Sequence, residues 1–81
     1  MNEDVFEIVE MLELLLEEDL SSKVRVELSS IISNLKGSNS SEDLMKVQDS
    51  LELISSSAQL DDFTRNEIIN VVAILEGMYN S

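Results

Sequence analysis

The sequence predicts an all-α fold, a four-helix up-and-down bundle made of two helical hairpins, and three observations carry that prediction. Proline is absent and the only glycines are Gly37 and Gly77, so nothing inside the apolar segments breaks a helix. Apolar residues recur at helical rather than alternating spacing. The chain also resembles itself at a shift of forty residues.

The first helix is read from Val5, Ile8, Val9, Leu12, Leu15 and Leu16, which fall on one stripe of a helical wheel. Val24, Leu28, Ile31, Ile32 and Leu35 mark the second, and Leu44, Val47, Leu51 and Ile54 the third. Ile68, Val71, Val72, Leu75 and Tyr79 mark the fourth. Their starts follow from capping chemistry, because short polar side chains accept bonds from the free amides of a first helical turn. Asn2, Ser21 or Ser22, Ser40 or Ser41, and Asp61 are the candidates. Gly37 is expected to end the second helix in a left-handed conformation, and the Gly-Ser-Asn-Ser-Ser stretch from Gly37 to Ser41 is the linker. The result is a single domain over 1–81, with one hairpin at about 3–37, a linker at about 37–41 and a second hairpin at about 42–79. Short connections make successive helices antiparallel neighbours.

The repeat supports this division. A shift of forty places puts Leu20 on Leu60, Arg25 on Arg65, Glu27 on Glu67, Leu28 on Ile68, Ile31 on Val71, Ile32 on Val72, Leu35 on Leu75 and Gly37 on Gly77. With a one-residue change of offset, Leu12-Glu13-Leu14 matches Leu51-Glu52-Leu53, so both helices of each hairpin take part.

Composition bounds the chemistry. A chain of 81 residues has room for one core, and without cysteine or histidine neither disulfides nor thiolate or imidazole metal sites can staple it. Dimerisation is the usual supplement for so small a core. Seventeen acidic against five basic residues give a net charge of −12, which repels nucleic-acid phosphates and anionic membranes and fits a basic protein partner. No apolar stretch approaches the length of a membrane span, and acidic Glu3 and Asp4 stand where a secretory signal would be positive. A cytoplasmic location is expected, and the absence of cysteine suits a reducing compartment.

Arg25 and Arg65 lie near the starts of the second and fourth helices, where the helix dipole disfavours a cation. They are read as structural braces, each reaching a carboxylate such as Glu18 or Asp19, or the carbonyls ending the preceding helix; an anion site is the alternative. Glu3, Glu7, Glu10, Glu13 and Glu17 lie opposite the apolar stripe of the first helix and read as a solvated face. A calcium or magnesium site there would need ligands converging from several directions, and no Asp-rich calcium loop is present. More informative are apolar residues that miss the stripes: Phe6, Met11 and Leu14 on the first helix, Leu53 on the third, Ile69 and Ile74 on the fourth. Phe6, Met11, Leu14, Ile69 and Ile74 are the candidate partner-binding residues. Phe6 and Leu14 stand two turns apart with Glu10 between them, an apolar ridge framed by carboxylates that suits a basic amphipathic segment or a second copy of the chain.

Catalysis finds no foothold. Serine lacks the histidine that would activate it, no Ser-x-x-Lys or Gly-x-Ser-x-Gly pattern occurs, and no glycine-rich phosphate cradle or other cofactor motif is present.

Leu20, Val24, Arg25 and Leu28 in the first half, with Leu51-Glu52-x-Ile54-Ser55, Leu60, Arg65, Ile68 and Leu75-Glu76 in the second, resemble a family of small archaeal proteins of unassigned function, uncharacterised protein family 0147. The resemblance covers nearly the whole chain beyond its first residues and implies a four-helix bundle in a cytoplasmic protein, with no activity attached. Ser21, Asp61 and Ile69 stand where members of that family carry two prolines and a tryptophan. Each hairpin is also similar to a HEAT repeat, a helical hairpin whose second helix begins with a hydrophobic residue and arginine, here Val24-Arg25 and Thr64-Arg65. The functional expectation is a non-enzymatic protein–protein interaction module, with a homodimer as one form of that interaction. The alternatives are an acidic accessory subunit of a basic, nucleic-acid-associated complex, and a metal-binding or enzymatic bundle.

Overall fold

Each apolar stripe becomes one helix, because only helical geometry turns a spacing of three and four residues into a continuous face that a neighbour can cover. The computed structural model describes residues 3–38, 40–57 and 60–79, with side chains from residue 5 onward. It contains α1 (Glu3–Leu15), α2 (Ser22–Lys36), α3 (Ser41–Ser55) and α4 (Asp62–Tyr79), and no strand among the described residues.

The helix starts follow the capping chemistry. The Ser21 hydroxyl accepts the Val24 amide at 3.2 Å, the Ser40 hydroxyl accepts the Asp43 amide at 3.2 Å, and the Asp61 carboxylate accepts the Thr64 amide at 2.8 Å. Ser21 and Ser40 are thus the caps rather than Ser22 and Ser41, which are first residues of their helices. Asn2 lies outside the described residues. Gly37 corrects the expectation of a left-handed end. Its φ of −97° and ψ of 1° are right-handed, and the amides of Gly37 and Ser38 bond back to the Ser33 and Leu35 carbonyls at 3.3 and 3.1 Å. The chain leaves α2 by tightening its last turn, so no positive φ is needed there. Gly77, its partner in the repeat, lies inside α4 instead of beyond a helix end.

Burial follows the repeat with a register of its own. In the first helices, Val5, Ile8, Val9, Leu12 and Leu15 are buried, and thirty-nine positions on, Val47, Gln48, Leu51 and Ile54 are buried while Leu44 packs against the core. In the second helices, Val24, Leu28, Ile31, Ile32 and Leu35 are buried, and forty positions on, Thr64, Ile68, Val71 and Leu75 are buried with Val72 packed against the core. Each buried position of α1 and α2 thus has a buried or core-packed counterpart in α3 and α4. Among the described residues the buried polar ones, Gln48 and Thr64, stand where the first half of the chain has Val9 and Val24.

α1 packs against α2 and α4, and α3 packs against the same two helices, with the α3 to α4 contact the most extensive. Among the described residues there is no close backbone approach between α1 and α3, or between α2 and α4. The four helices therefore enclose one core, and α1 and α3 are kept apart by the pair between them.

Candidate functional site

The two arginines are drawn to the same feature. α1 ends in a tightened turn, with the amides of Glu17 and Glu18 bonded to the Leu14 and Leu15 carbonyls at 3.1 and 3.0 Å. Arg25 then donates to the Leu16 carbonyl at 2.5 Å and to the Glu18 carbonyl at 3.2 Å. In the second hairpin Arg65 donates from Nε to the Ser55 carbonyl at 3.0 Å and from Nη2 to the Ser57 carbonyl at 2.6 Å. The last carbonyls of a helix have no partner within it and carry its negative dipole end, so a planar guanidinium can satisfy two of them at once. Arg65 also lies 3.7 Å from the Asp62 carboxylate, one exposed turn earlier.

At the start of α4, the nearby Thr64 hydroxyl and then the Thr64 amide favour the charged form of Asp61, holding its carboxyl below its usual value. Among the described residues Thr64 Oγ1 is buried and makes no complete hydrogen bond. Farther along the same helix pair, the Tyr79 hydroxyl donates to Gln48 Oε1, and Gln48 Nε2 donates to the Glu52 carboxylate at 3.2 Å. This chain of bonds ties the last turn of α4 to α3.

The apolar residues that miss the stripes divide into two groups. Phe6, Leu14, Leu53 and Ile69 are exposed, whereas Met11 and Ile74 are half-buried and packed against the core. Met11 and Ile74 lie at the edge of the core, because the flanking helices enclose more of α1 and α4 than a wheel allows. Val26, Met45 and Phe63 are exposed as well, and the stripe pattern did not single them out. Their signal was available, since each lies off the stripe of its helix.

Glu7, Glu10 and Glu13 on α1, and Glu17 in the turn that follows it, are exposed. Glu10, Glu13, Leu14 and Glu17 line a shallow depression of about 250 Å³. Glu13 reaches Lys36 of α2 at 3.5 Å, a surface pair between adjacent helices. A second groove, of about 350 Å³ between α2 and α3, is lined by Val26, Ser30, Asn34, Ser50 and Leu53 among others. Among the described residues no three carboxylates converge on a point where they could hold a metal ion, and no helix is long and apolar enough to cross a membrane.

No protein-family model, curated protein or solved structure matches this chain.

Proposed function

We propose that this chain is a non-enzymatic protein–protein interaction module, an up-and-down bundle of two HEAT-like hairpins that presents the outer face of α1 to a basic partner. One observation carries the reading: Phe6 and Leu14 are each 63% exposed on a helix side otherwise occupied by carboxylates. Isolated surface apolar residues are ordinary, but two on one side of a helix, about two turns apart and flanked by one sign of charge, form the anchor and rim of a helix-binding surface. A second copy of the chain fits this face less well than a basic segment, since Glu10, Glu13 and Glu17 of two copies would oppose each other. The kinship with uncharacterised protein family 0147 belongs to the same proposal and rests on the residues that resemble it.

Affinity capture with the native chain and with the Phe6→Glu, Leu14→Glu double variant tests the proposal. A partner retained by the native chain and lost by the variant, with helicity unchanged by circular dichroism, is the expected result; identical captured sets would overturn it. The net charge of −12 favours a second reading, an acidic accessory subunit of a basic, nucleic-acid-associated assembly. Under that reading the captured partner is itself a nucleic-acid-binding protein, and it dissociates as salt is raised.

A further inference from the structure

We propose that α1 and α3 carry two copies of one docking ridge, and that each takes a cationic amphipathic helix; the inference rests on the interaction reading above. At the thirty-nine-residue register that superposes the buried faces of the two helices, Phe6 falls on Met45 and Leu14 on Leu53. All four are exposed, Met45 at 49% and Leu53 at 76% beside the two already given. Glu10 falls on Asp49 and Glu13 on Glu52, so an acid lies between each apolar pair and another beside it. The remaining exposed large apolar residues show no such matching: Val26, Phe63 and Ile69 correspond to Asn66, Lys23 and Ser29 at the forty-residue register. Apolar exposure is thus repeated on the outer faces of α1 and α3, while the inward faces tolerate exchanges such as Val9 for Gln48.

Each pair is eight residues apart, about 12 Å along a helix, which matches apolar residues two turns apart on a partner helix. The carboxylates around each pair select lysine or arginine on the flanks of that partner. Because α1 and α3 make no close approach, one occupied ridge leaves the other open. The ridges differ in charge, since Lys46 of α3 and Ser56 just past it stand where the first half has Glu7 of α1 and Glu17 just past it. The α1 ridge therefore binds more tightly and loses more affinity as salt is raised.

The probe is a synthetic amphipathic helix of leucine and lysine, titrated into the full chain by calorimetry with stoichiometry read by native mass spectrometry. Two peptides per chain are expected. Phe6→Glu with Leu14→Glu leaves one, Met45→Glu with Leu53→Glu leaves one, and all four together leave none. A single peptide per chain, lost only with the α1 pair, would overturn the second ridge and leave the interaction reading standing. No binding to the native chain, or equal binding of a peptide with its leucines changed to serine, would overturn the ridges as docking sites. Circular dichroism reports the helicity of every variant, and serine variants at the same positions replace any glutamate variant that unfolds.

Discussion

Arg25 and Arg65 sit near helix starts, where a cation is locally unfavourable by a few tenths to about 1 kcal/mol, yet both spend their guanidinium on carbonyls at or just past the end of the helix before. Arg65 is the more enclosed of the two, so its bonds compete less with water. Arg65→Ala is expected to cost about 1–2 kcal/mol, and at about 4–8 °C per kcal/mol for a domain of this size the melting temperature falls accordingly. Arg65→Lys restores little, because a single ammonium cannot span both carbonyls. An unchanged melting temperature in Arg65→Ala would remove the brace. Thr64 gives the opposite prediction. Among the described residues its buried hydroxyl completes no hydrogen bond, and the equivalent position in the first half of the chain is Val24. Thr64→Val should therefore stabilise the fold by about 1 kcal/mol in chemical denaturation; a loss of stability would show that the hydroxyl has a partner in solution.

At the scale of the element, the caps were legible because a helix start is decided locally, by one side chain and three amides. Ser21, Ser40 and Asp61 needed no knowledge of the rest of the chain. The exit of α2 was misread for the converse reason: a glycine permits a left-handed end but does not compel it, and the linker leaves along a right-handed turn. The bond from Tyr79 to Gln48 spans two helices and had no signature in either. It fastens the end of α4, which has no basic residue in its last turn to complement its dipole. Tyr79→Phe should cost about 0.5–1.5 kcal/mol and speed hydrogen exchange in the last turn of α4 more than elsewhere. Uniformly faster exchange would place the bond's effect on the whole fold instead.

Across the whole molecule, a net charge of −12 on 81 residues opposes compaction by self-repulsion, and the ion pairs Glu13 to Lys36 and Glu42 to Lys46 lie in solvent where each is worth little. Salt screens the repulsion more than it weakens such pairs. Raising sodium chloride from low to moderate concentration should raise the melting temperature, and a fall would mean that specific ion pairs outweigh the repulsion.

The sequence by itself determined four helices, the inward face of each and the last three helix starts to within a residue, because periodicity and capping depend on residues within a few turns of one another. It also exposed the repeat, and with it the equivalence of Arg25 and Arg65. Only the tertiary structure decided how far each outward residue is covered, since that depends on the neighbouring helices and not on the wheel. Neighbours took Met11 and Ile74 into the edge of the core and left Phe6 and Leu14 in solvent. They left Met45 and Leu53 in solvent at the matching places on α3, which is why the pairing of the two ridges emerged only once the helices were packed.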